Sequence, residues 1–326
     1  MTDFRTIVRS KPEKATFGLH DKIFTTGSCF AEAIGSRLAA SCVDTHNNAF
    51  GTTYNPHSIH KNLRQAIANK LPPPTSYLVA HDIHLNFDFH STISAMDKVT
   101  LTNTLTDTIE RSHRAIKNAQ WLLITYGTAW VYRLRETGEI VSNCHKQPGA
   151  MFEKSLLPQK DFIESFDECY QALKACNPSI KIIVTVSPVR HIKDTIELNG
   201  VSKAILRLSC HTICEQYPDV WYFPAYEIMM DDLRDYRFYA QDMLHPTQTA
   251  EDYIWDNFIA RFADNNFKQF YPQWRAVQMA LKHRPFHPQS TGHQIFIRDT
   301  IRKLEELSAY INVDKEIDML TSQLIK

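Results

Sequence analysis

The sequence predicts an α/β fold: a doubly wound parallel sheet of about five strands covered by helices on both faces. Two observations carry this. The strand-like runs 120–126 and 180–186 are almost continuously apolar instead of alternating, as strands buried on both faces should be. Segments of helical period separate the successive strand-like runs, the pattern of a parallel sheet with crossover helices.

Each element follows from local chemistry. After an irregular lead-in over 1–21, the β-branched and aromatic run 23–26 reads as a buried strand and Gly27 as a turn. Phe30, Ala33, Ile34 and Leu38 then recur at helical spacing. Residues 42–46 read as a second strand, 47–56 as a loop rich in Asn, Gly and Pro, and 57–70 as a helix. A Pro-rich connector leads to a small strand pair within 77–90. Leu101, Leu105, Ile109 and Ile116 mark a helix over 100–119 that feeds the strand 120–126. Residues 129–134 and 139–145 flank Glu136-Thr-Gly138 as a β-hairpin insertion projecting over that strand's end. Helix 161–176, strand 180–186, helix 202–216, strand 220–223, helix 225–239, loop 240–246 and helix 248–262 complete a domain assigned to 1–264. Residues 265–326 read as a helical C-terminal extension, with a short helix near 274–282. Beyond it, Ile297, Ile301, Leu304, Leu307 and Ile311 share a stripe that packs on the core or joins a second subunit in a homo-oligomer.

Composition excludes several classes. Lys plus Arg equals Asp plus Glu, 36 each, so no basic field exists to attract nucleic acid. Met1 to Phe17 lacks an apolar run of signal-peptide length and nothing later approaches a membrane span, which predicts a cytoplasmic protein. Seven scattered cysteines without a C-x-x-C pair fit reduced thiols, and Cys210 and Cys214 read as packing. His81 with His84, and His57 with His60, lack the clustered ligand pattern of a metal site, so neither metal nor cofactor is expected.

In an open parallel sheet, ligands bind outside the carboxyl ends of the strands. The residues after the expected strands are Gly27 and Ser28; Asn47, Asn48 and Gly51; Gly127 and Thr128; Ser187, Arg190 and His191; then Asp242-Met-Leu-His245. Ser28 has two readings, a helix N-cap or a nucleophile whose developing charge the helix N-terminus stabilises. Asp242 would hold His245 Nδ1, leaving Nε2 as the base for Ser28. Arg190 and His191 would bind an anionic substrate group, although an Arg after a strand also serves in structural ion pairs.

Gly27-Ser-Cys-Phe-Ala31, Phe50-Gly-Thr-Thr-Tyr-Asn-Pro56, Tyr126-Gly-Thr-Ala-Trp-Val131, Asn143-Cys-His-Lys146, Val186-Ser-Pro-Val-Arg-His191 and Asp242-Met-Leu-His-Pro246 together resemble the GSCFA-domain family, a branch similar to SGNH/GDSL hydrolases. The resemblance covers roughly 20–260. It implies a flavodoxin-like sheet, Ser28 as nucleophile, Asp242 and His245 as its partners, and the Gly51 N–H as an oxyanion donor beside that of Ser28. One departure stands out: where the wider pattern has Gly-x-Asn, this chain has Gly127, Thr128 and Ala129. Losing one such donor is worth about 3–4 kcal/mol in the transition state. Asn143 is the preferred substitute and Asn48 the second. The function expected is an acyl-ester hydrolase or acyltransferase working through a Ser28 acyl-enzyme on an acylated carbohydrate or another small ester. The alternative is a weak or inactive scaffold serving as a carbohydrate-binding or assembly protein. A cysteine hydrolase using Cys29 ranks third, because the residue after the turn is expected to point back along the helix.

Overall fold

The computed structural model describes residues 6–8 and 11–325; the lead-in expected over 1–21 lies partly outside them. The chain forms β1 (Lys22–Gly27), α1 (Cys29–Ala40), β2 (Asp44–Asn47) and α2 (Pro56–Ala68), then a hairpin of β3 (Tyr77–Ala80) and β4 (Ile83–Asn86). Next come α3 (Lys98–Asn118), β5 (Trp121–Tyr126), β6 (Trp130–Leu134), β7 (Ile140–Val141), β8 (Phe152–Leu156), α4 (Gln159–Cys176), β9 (Lys181–Val186), α5 (Ile196–Gln216) and β10 (Val220–Phe223). The short α6 (Ala225–Glu227) runs into a π turn at Ile228–Asp232. Four helices close the chain: α7 (Gln248–Phe262), α8 (Asn265–Leu281), α9 (Thr291–Leu307) and α10 (Asp314–Thr321).

The main sheet has the order β10-β9-β5-β1-β2, and every pairing in it is parallel. Alternate residues of β5 divide between two hydrophobic clusters. Trp121 and Leu123 join Phe30, Ile34 and Leu38 of α1 and Ile254 and Phe258 of α7, whereas Leu122 and Ile124 join Leu63 of α2, Leu105 of α3, Phe166 of α4 and Leu206 of α5. The sheet is therefore covered on both faces, and the continuously apolar strands have their cause. β1 pairs on one side with β2 and on the other with β5, so the chain reverses direction across the sheet at the carboxyl ends of β1 and β5.

The turn leaving β1 depends on a missing side chain. Gly27 has φ +131°, and a Cβ there would lie 2.1 Å from Thr125 O. Its absence lets Ser28 N–H donate to Thr125 O at 3.0 Å as the chain swings into α1.

Four expectations change, the first being that the helix expected over 202–216 begins six residues earlier, at Ile196. The hairpin insertion is a three-stranded sheet of order β7-β6-β8, whose short, mixed β8 carries too little pattern to read. The helix expected over 225–239 ends early. Its π turn closes with Leu233 N–H on Ile228 O (3.0 Å), and the Asp232 carboxylate accepts from Val8 N–H (2.9 Å) and the Tyr253 hydroxyl (2.8 Å). The helix expected near 274–282 begins at Asn265 and runs through Pro272, with Phe267, Phe270, Trp274 and Val277 burying one stripe. The C-terminal extension packs in cis: Ile297, Leu304, Leu307, Val313 and Leu320 belong to the cluster of α1 and α7.

Candidate active site

Ser28 is the N-cap of α1, in extended backbone with φ −68° and ψ 175°, and its Oγ accepts from Phe30 N–H at 3.3 Å. The residue is 1% exposed. The bond holds the Ser28 side chain over the first turn of the helix, and the next residue opens the helix itself. Cys29 is that residue. It is half-buried and lines a cavity of about 500 Å³ at the sheet's carboxyl edge, so it does not point back along α1 as expected; Ser28 is not among the cavity's lining residues. Burial raises the Cys29 pKa, while Phe30 N–H, the Lys203 charge and its own N–H bear the other way.

His245 lines the same cavity. Its loop is fixed by one carboxylate: Asp242 Oδ1 accepts from Leu244 N–H (2.9 Å) and His245 N–H (3.0 Å), and Oδ2 accepts from His245 Nδ1 at 2.6 Å. These backbone donors, with the imidazole, hold the Asp242 pKa at about 2. Arg190 N–H donates to Leu244 O at 3.4 Å and ties the loop to the segment after β9. The His245 and Asp242 side chains are 52% and 46% exposed.

Gly127, Thr128, Arg190 and His191 also line the cavity, and Trp130 and Tyr132 of β6 form a wall. The Gly127 and Thr128 N–H groups both donate to Tyr54 O, at 2.8 and 3.1 Å. Arg190, for which an ion pair was one expectation, stacks over Tyr239 and Tyr236 at 4.1 and 5.3 Å. Burial, aided by the Lys203 charge, lowers the His191 pKa to about 4, so its ring is neutral at pH 7. Its Nε2 and Trp130 Nε1 are buried without a hydrogen-bond partner among the described residues.

The expected oxyanion donors are arranged differently. Gly51 N–H donates to Asn48 O at 2.8 Å. Asn143 is occupied at both ends of its amide, Nδ2 donating to Ser91 Oγ (3.2 Å) and Oδ1 accepting from His145 N–H (2.8 Å), and it does not line the cavity. Asn48 accepts Gly27 N–H on Oδ1 at 3.0 Å, which leaves its buried Nδ2 without a partner among the described residues. Of the histidines weighed as metal ligands, His60 is enclosed between Ser165 Oγ (2.6 Å) and the Tyr126 hydroxyl (2.8 Å).

Lys203 escaped the sequence reading. Fully buried on α5, its Nζ donates to Gly127 O and Ser187 O, each at 2.8 Å, and burial lowers its pKa to about 7. Both carbonyls belong to cavity residues. Ser202 Oγ accepts from Ala129 N–H (2.8 Å), and Asn199 Oδ1 accepts from His191 N–H (3.1 Å). The signal was present in the pattern. Asn199, Ser202 and Lys203 stand on a stripe continued by Leu206, Cys210 and Ile213, and polar residues on a core stripe need buried partners.

The sequence matches the GSCFA family over residues 22–258 and the GSCFA domain protein, C-terminal domain, over 274–326. No curated protein matches it. Similar solved structures include a carbohydrate esterase family 3 from Talaromyces cellulolyticus (9% identity, 73% of this chain, 94% of that chain, TM-score 0.35). An acetyl esterase mutant with acetate ion (9%, 79%, 99%, 0.36) and a Clostridium thermocellum family 3 carbohydrate esterase (11%, 79%, 98%, 0.32) are others.

Proposed function

The chain belongs to the GSCFA family, and from that premise we propose that it is an acyl-ester hydrolase or acyltransferase working at the cavity His245 shares with the start of α1. The observation that carries this reading is a carboxylate-oriented histidine opening on the same cavity as a helix N-terminus, at the point where the strand order reverses. Asp242 holds Nδ1–H and thereby fixes the tautomer in which Nε2 accepts a proton. A nucleophile presented at the head of α1 gives up its proton to Nε2 and attacks the acyl carbonyl. The charge on the carbonyl oxygen develops near the positive end of the helix, whose partial charge favours it. The protonated His245 then returns its proton to the departing alcohol, and water or a second hydroxyl completes hydrolysis or transfer.

The substrate class follows from the walls. Trp130, Tyr132 and Tyr54 give the cavity aromatic surface suited to a ring whose C–H side is apolar, and Arg190 and Lys193 of the same lining carry donors for the oxygens of the same molecule. An acylated sugar combines both features.

The test is hydrolysis of p-nitrophenyl acetate and of an acetylated glucoside by the full chain. Wild type should turn over, and His245→Ala should be about 10²- to 10⁴-fold slower. Equal rates would remove His245 from the mechanism. The tied-up N–H groups of Gly51, Gly127 and Thr128 favour a second reading, a binding scaffold with weak or no catalysis. Binding of the acetylated glucoside without turnover would establish it.

A further inference from the structure

This inference rests on the acyl-transfer reading and names its attacking atom: we infer that the nucleophile is the Cys29 thiol and that the acyl-enzyme is a thioester. Ser28, expected in that role, is enclosed, its oxygen is engaged with Phe30 N–H, and it does not face the cavity. Cys29 faces the cavity, as does His245. The N–H groups at the head of α1 bear on its sulfur and favour a negative charge there, as a helix N-terminus does. Beneath the cavity, the buried Lys203 amine, pinned by Gly127 O and Ser187 O, adds positive potential at the same atom.

Burial nevertheless raises the Cys29 pKa, so the resting group is a thiol and needs a base when substrate arrives. In the first half-reaction, the S–H proton passes to His245 Nε2, the S–C bond forms at the acyl carbon, and the C–O bond breaks. The alkoxide leaves with the proton from His245. In the second, water gives a proton to His245 and its oxygen attacks the thioester; the C–S bond breaks, and the thiolate recovers the proton as the carboxylic acid departs. A sugar hydroxyl in place of water gives transfer with the same balance. Lys203 touches no reacting atom and acts as a positioning residue, holding the two carbonyls and biasing the sulfur.

The test uses the full chain and p-nitrophenyl acetate, with acid quench during turnover and peptide mapping of the acetyl group. The acetyl group should map to Cys29, and hydroxylamine at neutral pH should release it, as it does thioesters and not ordinary oxygen esters. Cys29→Ala should lower turnover by about 100-fold or more. Ser28→Gly, which keeps a tolerated N-cap but has no hydroxyl, should stay within about threefold of wild type. An acetyl group on Ser28, or turnover by Cys29→Ala equal to wild type, overturns the assignment while leaving the acyl-transfer reading standing. Wild type that neither turns over nor labels overturns that reading, and this inference with it. Because the label is mapped on wild type, the result does not depend on how well either variant folds.

Discussion

Lys203 places an amine where water does not reach, and the cost is visible in how stability should depend on pH. Its pKa of about 7 lies below the ~10.4 of a free lysine. Between those values the unfolded chain holds a proton that the folded chain lacks, so stability rises with pH across that window. The contribution approaches about 1.4 kcal/mol per pH unit and flattens below about pH 7, where both states are charged. Lys203→Met should therefore lose this upward slope, read from urea unfolding at several pH values across the window. Parallel slopes for the two proteins would show that the amine stays charged against its two carbonyls. At this scale the sequence was readable where position decides. Gly127, Thr128, Arg190, His191 and His245 follow strands or close a loop, and all face the cavity. It was not readable where direction decides: Ser28 and Cys29 are neighbours at one turn, yet Ser28 is engaged with Phe30 N–H while Cys29 lines the cavity.

The first turns of α5 do at element scale what no single strand does, joining the ends of β5 and β9. Ser202 satisfies Ala129 N–H and touches the Thr128 hydroxyl at 3.1 Å, Asn199 holds His191 N–H, and Lys203 spans Gly127 and Ser187. Ser202→Ala leaves a buried N–H unpaired, so unfolding should become easier by about 1–3 kcal/mol. KM should rise with it, because the Thr128–Ala129 segment beside the cavity loses an anchor. Unchanged urea unfolding would mean that the loop repairs itself with another acceptor. Elements with a strong period, such as α3, or an apolar run, such as β5, could be read directly. β8 could not, since its five residues mix Glu, Lys and Ser with Phe and Leu and depend on pairing with β6. The break after α6 was hidden for a related reason: Asp232 bonds to Val8 and Tyr253, which are distant in the chain.

The main sheet carries one core on each of its faces, and the C-terminal helices enlarge only the core that contains α1 and α7. Doubly wound architecture was legible because a sheet covered twice needs strands apolar on both sides. Where the extension packs was not, since a stripe of Ile and Leu suits any apolar partner. No described helix is long and apolar enough to cross a membrane. Around these cores the chemistry is unevenly placed, with the sulfur of Cys29 set back at the head of a helix and the His245 ring half in solvent on an outer loop. An imidazole so accessible leaves a notch when it is cut away, with the Asp242 carboxylate still held by Leu244 N–H at its margin. His245→Gly should therefore accept a replacement from the buffer. Millimolar imidazole should restore part of the lost esterase rate, saturably and above imidazole's own background hydrolysis, while bulkier 2-methylimidazole restores less. No recovery at any concentration would mean that the ring does more than carry a proton.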